Sequence, residues 1–251
     1  MLKLDWLTEV KGKNRTLTGY WAVLYSCTAI FMAVWYMYTS GFGIVSTETN
    51  RGFYLLFTSV LVYLLFPASR WAPKDRPSVY DVACVVLISV SIGYWINQYM
   101  DYAMFRVTEP NRWDLIMGII AISMILETAR RALGPIMMIL ALIFIGQIYF
   151  GPQLPGKLSH AGMPPGRIIE FTFSTQEAMF GVITATFATF VFPFMVFGAF
   201  LERSGAGTFF MELAKALTGK WRGGPAKIAI VTSALFGSIS GSSVANVVAT
   251  G

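Results

Sequence analysis

Six of the seven positions from Gly237 to Ser243 are Gly or Ser, in the run GSISGSSVANVVATG that closes the chain at Gly251. The run follows the apolar stretch Ile228 to Phe236, where a membrane helix would otherwise continue. Glycine and serine loosen the backbone, and freed carbonyls and amides persist at membrane depth only where protein or a water-filled cavity surrounds them. A half-helix ending at Phe236 would turn its partial negative end and unpaired carbonyls toward such a break. Those carbonyls, with the hydroxyls of Ser238, Ser240, Ser242 and Ser243, are hard oxygen donors suited to sodium. A second half-helix beginning near Ser242 would aim free amides past Gly241 at the same point, a seat for a carboxylate, with Asn246 one turn further on. A second reading stands beside this one: Gly237 to Gly241 is a GxxxG pattern, and small residues also permit close helix packing.

Other chemistry finds little support. HExxH, GxSxG and P-loop patterns are absent, as is any Cys/His cluster, so an enzyme is not expected and no cofactor is called for beyond a coupling ion. Ser242 and Ser243 would need a membrane histidine to act as a nucleophile, but the single histidine, His160, lies in a loop. Standing alone, His160 makes a poor metal site, and a surface contact is expected of it. Cys27 and Cys84 fall within apolar segments and read as packing residues.

The elements that must position the Gly/Ser run are membrane helices. The chain is 55% hydrophobic and 13% charged, where a soluble domain carries about 25% charged residues. Six apolar segments approach the roughly 20 residues needed to span: Gly19 to Tyr38, Gly52 to Pro67, Val79 to Tyr99, Trp113 to Glu127, Leu133 to Phe150 and Gly181 to Leu201. Trp113 to Glu127 is short by that standard and is expected to need tilt or local thinning. The first segment lacks a small-residue cleavage site after Tyr38 and reads as a retained helix. The predicted fold is an all-α integral membrane protein of several spanning helices with the start of a re-entrant helical hairpin.

The basic residues set the orientation. With a cytoplasmic N-terminus and alternating segments, 14 of the 19 Lys and Arg fall inside, leaving Arg51, Arg106, Arg112, Lys157 and Arg167 outside. The net charge of +6 is thus a mark of topology in the lipid bilayer, and no nucleic acid is expected as a partner.

Residues 1–18 form a basic leader that either lies on the membrane surface through Leu2, Leu4, Trp6 and Leu7 or is a disordered tail. Glu127 stands four positions before Arg131, the spacing of a helical ion pair, with proton coupling as the alternative for a membrane carboxylate. The external connection Gly151 to Ala178 is long enough to hold a short interfacial helix around Arg167 to Phe173. Phe209, Phe210, Leu213, Ala216 and Leu217 fall at helical spacing, predicting a helix along the cytoplasmic interface before Gly223, Gly224 and Pro225 turn the chain inward. Nine residues from Ile228 to Phe236 reach about 13 to 14 Å, which would set the Gly/Ser run near the midplane.

Three marks, GAFLERSGAG, GKWRGGPAK and GSISGSSVANVVATG, lie between Gly198 and Gly251. This stretch closely resembles the start of the large membrane subunit of TRAP transporters, the tripartite ATP-independent periplasmic carriers of bacteria. TARRALG (Thr128 to Gly134) and the loop Gly151 to Gly166 resemble the junction of fused permeases that work with TAXI-type binding proteins. The resemblance implies a leader over 1–18, a four-helix small-subunit-like domain over 19–130, and the start of a large-subunit-like domain over 131–251. It further implies an inner-membrane permease for sodium-driven uptake of a carboxylate-type substrate, delivered by a periplasmic solute-binding protein. Gly237 to Gly251 would then be the first hairpin tip of an elevator-type transport domain, with the returning arm and second hairpin absent from this fragment. Another carboxylate carrier with re-entrant hairpins, such as a tricarboxylate permease, and a non-transporting scaffold are the competing expectations.

Overall fold

The computed structural model describes residues 15–43, 46–69, 72–156, 159–218 and 223–240. Among these there are helices and no strand: α1 Tyr20–Phe42, α2 Thr47–Leu65, α3 Val79–Asp101, α4 Arg112–Leu133, α5 Pro135–Tyr149, α6 Pro165–Ile169, α7 Val182–Thr186, α8 Phe192–Arg203, α9 Ala206–Thr218 and α10 Gly224–Ser240. Single π-helical turns extend α3 (Tyr102–Arg106), extend α6 (Glu170–Ser174) and join α7 to α8 (Phe187–Val191). Three helical stretches are long and apolar enough to cross a membrane: Tyr20–Phe42, Val79–Arg106 and Val182–Leu201. The expected all-α membrane architecture holds.

Helix starts are set by caps. Ser46 opens α2 by accepting the Thr49 N–H at 3.3 Å. Ser78 and Asp81 form a capping box at α3, with the Asp81 carboxylate accepting the Ser78 N–H at 2.7 Å. Asn111 and Asp114 repeat the device at α4. Helix α4 runs on past Glu127 to Leu133 and ends where Gly134 takes φ +93, with Pro135 starting α5. Its 22 residues span about 33 Å, but Glu127, Arg130 and Arg131 occupy its C-terminal turns and its apolar part stays short, so it is not among the stretches long and apolar enough to cross.

Helices α2, α3 and α4 pack side by side, with α1 against α2 and α6 against α4. Tyr63, Cys84, Ile88, Ile92, Trp95, Ala121, Phe173 and Phe180 form one buried cluster. Trp95 and Phe180 stack with centroids 3.5 Å apart, and Arg51 donates to the Phe180 carbonyl at 2.7 Å. Gly118 lets the α6 turn approach: a Cβ there would run into Ile169 and Phe173. A second cluster joins α1 to the α7–α8 turn through Met32, Tyr36 and Ala188. Elsewhere large apolar side chains face outward, including Ile30 and Val34 of α1, Val86 and Val90 of α3, and Ile136 and Ile143 of α5. That surface suits lipid as solvent, where close contact rather than water exclusion holds helices together.

Candidate functional site

Helices α8, α9 and α10 carry the approach to the Gly/Ser run. Gly205 (φ +87) turns α8 into α9, and Gly223 (φ +77) precedes α10. Helix α9 is amphipathic as expected: Ala214 and Thr218 are buried, whereas Phe209, Leu213 and Leu217 form an exposed apolar stripe at four-residue spacing. Helix α10 starts at Gly224 and continues unbroken through Gly237 to Ser240. The break expected after Phe236 is therefore not there. Gly and Ser cost up to about 1 kcal/mol each in helix propensity, but a bilayer offers no water to compete for backbone hydrogen bonds, so the helix persists. The arm is 17 residues, or about 25 Å, rather than nine.

Ser238 and Ser240 thus stand in the last turn of α10, and Gly241, Ser242, Ser243 and Asn246 lie outside the described residues. Thr232, on the same helix, is a buried hydroxyl without a hydrogen-bond partner among the described residues, a polar group the sequence reading passed over. Ala229, Ile230, Ser233 and Ala234 of this helix border open space rather than an enclosed cavity.

Two clusters of buried charge lie elsewhere, one at each end of the α2–α4 bundle. At the end predicted to face the cytoplasm, Asp81 is fully buried between two arginines, Arg15 at 2.5 Å and Arg131 at 2.5 Å, themselves without exposed side-chain surface. Glu127 accepts from Arg131 at 2.8 Å and from Arg130 at 2.6 Å. The i to i+4 pair expected of Glu127 is present, and both of its carboxylate oxygens accept from guanidiniums. Arg131 also lies over the rings of Tyr63 (4.8 Å) and Tyr80 (5.5 Å) and donates to the Phe66 carbonyl at 3.2 Å. Arg130 donates to the Ala68 carbonyl at 2.9 Å.

At the opposite end, Glu170 is 2% exposed and accepts from the Tyr102 hydroxyl (2.6 Å), the Thr108 N–H (2.9 Å) and Arg167 (2.6 Å). Burial works to raise its pKa, but the three donors and the Arg167 charge outweigh it, leaving the carboxyl below its ordinary value. Asp114 accepts from Tyr94 (2.7 Å) and Arg106 (2.9 Å), and Arg106 reaches Gln98 at 2.9 Å. A cavity of about 10 Å³ is lined by Asp114, Tyr94, Tyr102 and Trp95 among others, the size of one water and far below that of an organic substrate site. Thr108, at φ +76, closes the turn beneath Glu170. The interfacial helix expected near Arg167 to Phe173 is α6 with its π-helical turn, held by these contacts.

His160 accepts the Gly162 N–H at 3.1 Å and packs against Gly151 within its loop. No group of three His, Cys, Asp or Glu able to hold a metal occurs among the described residues. The sequence reading missed Asp81, Asp114 and Glu170. For the first two a local signal existed, since S-x-x-D and N-x-x-D are capping patterns, but neither pattern reveals the distant arginine.

Comparison with known proteins fits this architecture to a family. Over 69 residues the chain is 39% identical to the uncharacterized protein y4mL of Sinorhizobium fredii (strain NBRC 101917 / NGR234), a match covering 27% of this chain and 16% of that protein. No solved structure matches the chain. The family model for the DctM component of the tripartite ATP-independent periplasmic transporter matches residues 120–251, from within α4 through α10 to the end of the Gly/Ser run. The chain belongs to the DctM family of tripartite ATP-independent periplasmic transporter components.

Proposed function

We propose that the protein works as the membrane permease of a tripartite carrier in the bacterial inner membrane, taking up an organic acid on a sodium gradient after a periplasmic binding protein delivers it. The observation that carries this reading is the family match over 120–251, which includes the Gly/Ser run. In it, residues 19–130 serve as a fused small-subunit-like domain of the TAXI-associated type, and residues from 131 onward begin the large-subunit-like domain. The N-terminus is cytoplasmic, in keeping with the 14 basic residues on that side.

Within this reading Ser238, Ser240, Gly241, Ser242, Ser243 and Asn246 contribute oxygen and amide groups to the ion and the carboxylate. The 17-residue α10 delivers them. An arm of about 25 Å carries that cluster most of the way across a hydrocarbon core of about 30 Å, deeper than a nine-residue arm would reach.

The test is uptake by the full gene product in proteoliposomes. Radiolabelled organic acids are offered with and without a sodium gradient and with and without the neighbouring binding protein. Uptake requiring both supports the reading. Uptake indifferent to both points to another kind of carrier, and no uptake under any condition leaves a non-transporting scaffold. Ser240→Ala, Ser242→Ala and Asn246→Ala are expected to weaken sodium activation with expression intact, and unchanged activation in all three would remove the site assignment.

A further inference from the structure

Arg15 lies just ahead of α1, yet its side chain is fully buried. Its guanidinium meets acceptors from three separate segments. Nε donates to the Pro73 carbonyl at 2.9 Å, Nη1 to the Tyr63 and Leu64 carbonyls at 3.3 and 3.5 Å, and Nη2 to Asp81 at 2.5 Å. The backbone follows the side chain: Arg15 N–H reaches the Leu65 carbonyl at 2.9 Å, and Thr18 N–H reaches the Asp75 carbonyl at 3.3 Å.

We infer that the end of α2, the turn at Pro73 and Asp81 of α3 together form an intramolecular receptor for a guanidinium, and that Arg15 occupying it holds the segment 15–18 to the bundle. The carbonyls at the last turn of α2 have no helical partner of their own and carry the partial negative charge of a helix C-terminus. Asp81 supplies the full charge. These acceptors surround one planar group with donors on three nitrogens. An ammonium has its three donors on a single atom and cannot reach all of them at once. The receptor is therefore selective for shape as well as charge. It does not depend on the family assignment, because every contact lies before residue 82.

Trypsin tests this in the full chain in detergent, by the appearance of the product whose new N-terminus is Thr16. Cleavage of a transiently open segment follows the population of its open form. The wild-type Arg15–Thr16 bond is expected to resist. Asp81→Asn removes the charge partner and is expected to speed cleavage at this bond by about tenfold or more, the cost of one charge-assisted hydrogen bond. Arg15→Lys keeps both the charge and a trypsin site, and the same acceleration is expected. Glu127→Gln leaves the receptor intact, and protection should persist. Circular dichroism and elution volume report whether each variant folds. Should Asp81→Asn fail to fold, Arg15→Lys carries the test without altering net charge. Cleavage of Arg15→Lys as slow as wild type, or rapid cleavage of the wild-type bond, would overturn the inference.

Discussion

The carboxylates Asp81 and Glu170 are equally buried, at opposite ends of one helix bundle, but they are satisfied in different ways. Asp81 sits between two guanidiniums that come from 66 and 50 residues away in sequence. Glu170 takes one local arginine three residues back and fills its other oxygen with a hydroxyl and a backbone amide. Removing Asp81 leaves Arg15 buried without a counter-charge and Arg131 with Glu127 alone. Removing the Glu170 charge leaves neutral donors and an arginine whose side chain is 45% exposed, which water can serve. The first cluster is a charge knot between distant segments, and the second is a hydrogen-bonded latch.

The largest effect should come from breaking the knot. Asp81→Asn is expected to destabilise the folded bundle by about 3–5 kcal/mol, read as a shift in the unfolding midpoint in detergent. A loss below that of the Glu170 variant would invert the comparison. Glu170→Gln is expected to cost about 1–2 kcal/mol, since an amide keeps an acceptor for Tyr102 or Thr108 and loses the ion pair. Its pH dependence sharpens the contrast. Because the folded carboxyl has a lowered pKa, its contribution is full above the ordinary glutamate value near 4.5 and is lost as pH falls through the lower, folded value. Glu170→Gln should flatten that acid limb of the stability profile, and an unchanged limb would assign it to other groups. Arg130→Met should have the smallest effect, about 0.5 kcal/mol, because the side chain is 32% exposed and Arg131 still holds Glu127.

Much of the helical order was legible in the sequence. Apolar runs located the helices, though only three of the six expected spans are long and apolar enough to cross; the four-residue spacing located the Glu127–Arg131 pair, and the 209–217 periodicity located α9. These are local signals. The pairing of Asp81 with Arg15 and Arg131 depends on how helices lie beside one another, which no short window encodes. The end of α10 was misjudged for a different reason. Propensity scales are measured in water, whereas in lipid an unmade backbone bond costs more than a glycine does. Of the candidate ion and substrate site, the backbone placement of Ser238 and Ser240 is described and the remainder lies beyond the described residues. The reading of that part rests on the Gly/Ser composition and the half-helix argument, with the family resemblance beside it.

The spacing of the Asp81 contacts also imposes an order of events on a chain made from its N-terminus. When Asp81 emerges, Arg15 and the α2 carbonyls already exist, so the first guanidinium can be seated as α3 enters the membrane. The second, Arg131, is synthesised 50 residues later, at the far end of α4. Arg15 is thus the early counter-ion available to Asp81, and Arg131 the late one, which can join only once α4 lies beside α3.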